Sequence, residues 1–191
     1  MKETENLLAT KPMLVAGVGA AVNKIIFLDI DGVLNPTHYM NALYKMWKAS
    51  FEDVKSHDEY GQLFFYHNCN ALDTIIGNTG AKIVMSSSWR MEGMTKMQKM
   101  WKDRRLAGEI IDVTPTANVL VDAGKEKFYD SVCRGAEIQY WIDANNFKGK
   151  YCIIDDDDDM LEEQQNNFVK TNSSCGLTYK DAEKAILILN A

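Results

Sequence analysis

Asp29 and Asp31 stand two residues apart directly after the apolar run Ile25-Ile26-Phe27-Leu28, and Gly32 follows them. A carboxylate where a buried strand leaves the core can attack a phosphorus centre while its neighbour handles protons, and the glycine lets the chain turn away at once. Taken alone, the spacing is better explained by a solvated strand end with an Asx turn. An EF-hand loop is excluded, because Leu34 and the residues after it lack the further oxygen ligands. The second acidic feature is the unbroken run from Asp155 to Asp159. Five adjacent carboxylates repel one another unless solvent, basic groups or a metal ion relieve them. With 21 Lys and Arg against 27 Asp and Glu the net charge is −6, and this run supplies most of it. The acidity is local, and no domain-wide basic excess marks a nucleic-acid binder.

These carboxylates need a scaffold, and the hydrophobic pattern supplies one. Residues 24–28, 81–85 and 150–154 are short apolar runs with the character of buried strands, and 167–170 is a weaker fourth. Helical periodicity runs over 70–78, 88–105, 135–145 and 179–189. Strands alternating with helices predict a parallel sheet covered on both faces. In such sheets ligands bind beyond the carboxyl ends of the strands. The three strong strands end in Asp29-x-Asp31, in Ser86-Ser87-Ser88 and in the aspartate run, so polar groups converge on one edge. Two stretches break the alternation, 35–66 and 114–132, and read as insertions over that edge.

The helical stretch 88–105 divides by face. Met94, Met97, Met100 and Trp101 recur at helical spacing and predict a core face. Arg90, Lys96, Lys99, Lys102, Arg104 and Arg105 make the same segment basic, which reads as a solvated face before it reads as a polyanion site. Trp89 reads first as packing, although Trp89 and Tyr39 also have the shape to stack on a base.

A chain of 191 residues, 46% hydrophobic and 25% charged, is of the size and balance of one globular domain. The longest apolar stretch, 13–22, falls far short of the roughly 20 residues a bilayer span requires. A leader carrying Lys2, Glu3 and Glu5 is mixed rather than basic, unlike a signal peptide. Residues 1–23 therefore read as a loosely packed extension to a domain over 24–191. The four cysteines form no CxxC pair and the three histidines stand far apart. Neither a disulfide framework nor a zinc site is indicated, and a cytoplasmic setting is expected.

The stretch from Ile25 to Leu34, hydrophobic residues followed by DxDG[TV][LV], resembles the first motif of the haloacid dehalogenase-like (HAD) superfamily. Lys82-Ile83-Val84-Met85-Ser86 is similar to its second motif, and Tyr151-Cys152-Ile153-Ile154-Asp155-Asp156 to its fourth. Ser86-Ser87-Ser88-Trp89-Arg90, Arg134-Gly135-x-Glu137-Ile138 and Asp155-Asp156-Asp157-x-Asp159-Met160 together look like the branch associated with Swiss-army-knife RNA-repair proteins and phage relatives. The resemblance spans residues 24–189.

It implies a three-layer, Rossmann-like α/β fold with a small cap insertion at 35–66, and a magnesium-dependent phosphatase working through an aspartyl-phosphate. On that pattern Asp29 is nucleophile and metal ligand. Asp31 is general acid/base and touches the metal through its carbonyl. Ser86, with Ser87, binds the transferring phosphoryl oxygens, helped by backbone N–H groups at the following helix start. Arg134 supplies the positive charge of the third motif, where Lys is usual, which leaves Lys125 and Lys127 as competitors. Asp155 is the main remaining magnesium ligand, joined by Asp156 in a paired-acid reading or by Asp159 in a DxxxD reading. Oxygen-only ligands suit magnesium better than zinc. The expected substrate is a phosphate monoester, on a nucleic-acid end or a nucleotide, with a sugar or metabolite phosphate as the alternative. No membrane and no obligate protein partner is expected. A non-catalytic metal- or phosphate-binding protein is the rival from another class, and the presence of both Asp29 and Asp31 argues against it.

Overall fold

The computed structural model describes residues 22–49 and 56–191. Nearly all of the expected 1–23 extension, and positions 50–55 of the 35–66 insertion, lie outside them. In chain order, β1 (Lys24–Leu28) is followed by α1 (Thr37–Lys48), a hairpin of β2 (His57–Asp58) and β3 (Gly61–Gln62), and α2 (Tyr66–Thr79). Next come β4 (Lys82–Met85), α3 (Met94–Asp103), β5 (Ile110–Val113), α4 (Ala117–Asp122) and α5 (Arg134–Ala144). The chain ends with β6 (Lys150–Asp155), β7 (Phe168–Lys170) and α6 (Tyr179–Asn190).

The main sheet is parallel throughout, in the order β5-β4-β1-β6-β7. Alternation along each strand divides the core. Ile26 and Leu28 of β1, with Ile83 and Met85 of β4, join Leu72 and Ile75 of α2 and Ala185 and Leu189 of α6 in the larger cluster. Ile25, Phe27, Val84 and Ile153 face the other way, onto Ile138 and Trp141 of α5. Residues buried on both sides explain why β1 reads as a continuous apolar run rather than an alternating one. The three layers expected of a Rossmann-like α/β protein are therefore present.

The structure departs from the periodicity in three places. The edge strand β5 carries no strong sequence signal, because only Ile110 of its four residues is buried and Asp112 interrupts the run. That aspartate is employed, accepting a 2.7 Å hydrogen bond from Trp141 Nε1. The expected helix over 88–105 breaks at Gly93, which sits at φ 87°, separating a 3-10 turn (Ser88–Glu92) from α3. The expected helix at 70–78 starts at Tyr66 instead. Met97, Met100 and Trp101 are buried, as their spacing predicts. No helix among the described residues is long and apolar enough to cross a membrane.

Strand order and register bring the polar strand ends together. The chain runs outward from β1 through β4 to β5, then returns to place β6 on the other side of β1. Leu28 is level with both Met85 and Ile154. The residues just beyond therefore fall in one row: Ser86 N donates to Leu28 O at 2.9 Å, and Asp29 N to Ile154 O at 3.0 Å. The row continues outward, where Thr114 N donates to Met85 O at 2.9 Å. Such a reversal of strand order is where open α/β sheets form their ligand crevice.

Candidate active site

The crevice beyond β1 and β6 is a cleft of about 470 Å³ lined by Asp29, Asp31, Asn35, Thr37, Met40, Ser88, Arg134, Asp156, Asp157 and Ser173. Asp29 is buried at its floor, Asp155 is buried next to it, and Asp156 is half-buried. One carboxylate oxygen from each of these three lies within 4.8 Å of the others. Burial pushes the Asp29 carboxyl up to about 6, against the opposing pull of the Ser87 hydroxyl and the Arg134 charge. Asp155 rises further, to about 8, first through burial and then through the negative charge of Asp29. Asp156 is also raised, by burial and by Asp157. Three converging carboxylates that resist carrying charge together form an oxygen-only donor set short of positive charge. That is the chemistry a hard divalent cation such as Mg²⁺ satisfies.

The acidic run divides its labour. Asp155 Oδ1 accepts from Asp157 N at 3.0 Å, which fixes the turn. Asp158 points outward and pairs with Lys170 at 2.6 Å. Asp159 accepts from Arg134 N at 2.8 Å and so holds the start of α5 against the end of β6. Of the two alignments left open by the sequence, the paired-acid one matches the clustered carboxylates, and Asp159 has a structural task. A side chain at Gly135 would press on Leu161 N and the Gln164 side chain, so glycine permits this close approach.

Arg134 reaches the same floor. Its Nε lies 3.6 Å from Asp155 Oδ2 and its Nη1 donates to Glu137 Oε2 at 3.0 Å. Glu137 also accepts two bonds from Arg90 Nη2, at 2.8 and 2.7 Å, while Arg90 Nη1 donates to Ser87 O at 3.0 Å. Arg90 therefore belongs neither to a solvated face nor to a polyanion surface. The competing lysines stand elsewhere: Lys125 lines a separate groove between α4 and α5, and neither it nor Lys127 lines the aspartate cleft.

Ser86 and Ser87 are both fully buried. Ser86 Oγ accepts from Thr114 Oγ1 at 3.4 Å, and the Ser87 hydroxyl bonds Asp29. Of the three consecutive serines, Ser88 is the one exposed on the cleft wall. Sequence reasoning also passes over Glu137, whose place between two arginines was visible only as the acidic residue of Arg134-Gly135-x-Glu137. Trp89 does pack, against Phe64 at a ring separation of 5.5 Å, and its Nε1 also donates to Asp31 Oδ2 at 3.0 Å. Tyr39 stacks on Phe65, ring centroids 4.7 Å apart.

The basic residues after Arg90 are largely engaged. Lys96 pairs with Glu92, Lys99 with Asp103, and Arg104 with Asp58 across two hydrogen bonds of 2.9 and 2.8 Å. None of these side chains lines the aspartate cleft.

A doubly wound parallel sheet with an Asp-x-Asp turn at its switch point and acidic residues on the adjoining strand defines a haloacid dehalogenase-like hydrolase. The sequence model of the family described as "HAD domain in Swiss Army Knife RNA repair proteins" matches residues 25–182, and the chain belongs to that family. Neither comparison with curated proteins nor comparison with solved structures gives a match.

Proposed function

We propose that the protein is a magnesium-dependent phosphatase that hydrolyses phosphate monoesters through a phosphorylated Asp29. The observation that carries this reading is the convergence of Asp29, Asp155 and Asp156 oxygens within 4.8 Å, beside Arg134 and two residues from Asp31. Asp29, Asp155 and Asp156 would hold the magnesium ion, which when bound supplies positive charge to offset repulsion between the nucleophile and the phosphate. Asp29 attacks phosphorus, forming an Asp29 O–P bond as the ester P–O bond breaks. Asp31 gives its proton to the departing oxygen. It then takes a proton from water, whose oxygen displaces Asp29 and releases inorganic phosphate. Arg134, held by Glu137, binds the phosphoryl oxygens, with Ser88 on the cleft wall. Ser87 aligns Asp29 from beneath, and Ser86 supports that layer through Thr114.

For the ester we propose a nucleic-acid end or a nucleotide, on the strength of the family's description as a domain of RNA-repair proteins. The ion-paired state of Lys96, Lys99 and Arg104 favours a second reading, a small-molecule phosphatase. The test is a screen of nucleotides, sugar phosphates and 3′- or 5′-phosphorylated oligonucleotides, with magnesium or with EDTA. Turnover of any monoester that EDTA abolishes supports phosphatase action, and no turnover across the panel refutes it. Each phosphate neutralised by Lys or Arg gives a log–log salt slope of about −0.7 on a single strand, so oligonucleotide kcat/KM should fall steeply with salt. An equal salt response for small and oligomeric substrates selects the small-molecule reading.

A further inference from the structure

Asn35, Thr37 and Met40 of the 35–66 insertion line the cleft directly, and a further link from the insertion to the catalytic edge runs by way of Trp89. Trp89 Nε1 donates to Asp31 Oδ2 at 3.0 Å, and Asp31 is otherwise an exposed carboxylate on the cleft rim. The indole is itself held. Phe64 meets it edge to face at 5.5 Å, and a Cβ at Gly61 would come to within 4.0 Å of its far edge. The Arg104 guanidinium sits 4.4 Å from the Phe64 ring centroid and 6.0 Å from that of Trp89. Arg104 is locked in turn by its two bonds to Asp58 and by a 3.3 Å bond to Gly61 O. Arg104 and Asp58 are both largely shielded from solvent. A continuous set of contacts therefore runs from the β2–β3 hairpin, through Arg104 and Phe64, to the indole N–H and the Asp31 carboxylate.

We propose that Trp89 is a positioning residue for Asp31, and that the hairpin acts in catalysis by fixing that indole. This rests on the phosphatase reading, in which Asp31 moves protons. An exposed aspartate samples several rotamers, and proton transfer to the departing ester oxygen requires a carboxylate oxygen held beside it. A donor anchored on a rigid ring holds that rotamer before substrate arrives, which lowers the entropic cost of reaching the transition state. The same bond leaves the other carboxylate oxygen for proton transfer.

The dependence on leaving group reads this out. An alkyl phosphate needs its departing oxygen protonated, whereas p-nitrophenyl phosphate hardly does. Trp89→Phe keeps the ring and removes the donor. It should lower kcat/KM for the alkyl ester about tenfold to hundredfold and change that for p-nitrophenyl phosphate less than about threefold. Trp89→Leu, which removes ring and donor, should show the same split. Arg104→Lys, which loses the planar fork, should show it in weaker form. Independently of activity, the Trp89 indole N–H resonance, assigned from its disappearance in Trp89→Phe, should move upfield in Asp31→Ala.

If Trp89→Phe lowers neither ester while Trp89→Leu lowers both alike, the ring matters only as packing and the proposal is overturned. An indole resonance unmoved by Asp31→Ala overturns it as well. Should the wild-type protein hydrolyse neither ester while that resonance does move, the contact stands and the phosphatase reading is what fails, taking the catalytic role of Trp89 with it.

Discussion

Gly32 and Asp156 are packed so closely that a methyl group on the glycine would overlap the aspartate carboxyl. Gly32 lies on the turn leaving β1, at φ 71°, and Asp156 on the turn leaving β6. The tight turn after Asp29 thus makes room for a carboxylate of the aspartate cluster. Gly32→Ala incurs about 1 kcal/mol of left-handed backbone strain and also displaces Asp156. Its metal response should suffer more than its fold: a melting temperature within several degrees of wild type, and a magnesium-induced rise reduced by half or more. An undiminished rise would show that Asp156 retreats without leaving the cluster.

Asp29→Asn keeps the shape of the proposed nucleophile and removes its charge, so phosphate release from p-nitrophenyl phosphate should drop to background. Asp31→Asn should still form a phosphoryl-enzyme with that substrate, visible as a burst of nitrophenol without matching phosphate release. Substantial turnover by a folded Asp29→Asn protein is incompatible with the assigned roles.

Stability should depend on pH in a direction opposite to that of a salt-bridged carboxylate. The Asp29 and Asp155 carboxyls stand at about 6 and about 8, above the ordinary aspartate value of 3.8. The folded state therefore retains protons that the unfolded chain releases. Its advantage is full below pH ~4 and is lost as pH rises through about 6 and then about 8. In EDTA the melting temperature should decline between pH ~5 and ~8, and saturating magnesium should flatten that decline by mass-action linkage. A metal-free melting temperature that climbs over the same interval contradicts the buried-carboxylate account.

Within the aspartate run the effects should be unequal. Asp155→Ala removes a buried member of the cluster, whereas Asp158→Ala removes an exposed partner of Lys170. Magnesium should raise the melting temperature of Asp158→Ala as it does wild type, and that of Asp155→Ala little or not at all. Calorimetric titration with magnesium provides the second check, and equal affinities in the two variants would falsify the ligand assignment.

Glu137→Ala should be among the most disruptive substitutions outside the sheet, because it removes the carboxylate paired with the buried Arg90 charge and leaves Arg134 only its 3.6 Å approach to Asp155. Breaking a buried ion pair from one side costs about 3–5 kcal/mol. At about 2–4 °C per kcal/mol for a chain of this length, the midpoint should fall by ~6 °C or more. A loss under about 1 kcal/mol in denaturant titration would mean that water reaches Arg90.

The local sequence determined the parts whose physics is local. The apolar runs at Lys24–Leu28, Lys82–Met85 and Lys150–Asp155 are strands because a strand buried on both faces must be apolar throughout, and the polar residues ending them mark the ligand edge. That was enough for the fold class, and it singled out Asp29, Asp31 and Asp155 as candidates at that edge. The weak edge strand Ile110–Val113 was hidden, because an edge needs few buried residues and Asp112 broke the run. Tertiary structure alone decided among the charges. Five aspartates of one residue type became a cluster member at 155, another at 156, a cleft wall at 157, a lysine partner at 158 and a helix anchor at 159. Arg90 and Arg104 read as a basic face and turned out to be partners of Glu137 and Asp58, 47 and 46 residues away. The Trp89 indole was legible as packing, but its bond to Asp31, 58 positions back, was not. Burial and pairing depend on neighbours that only the folded chain supplies, and no spacing along the sequence encodes them.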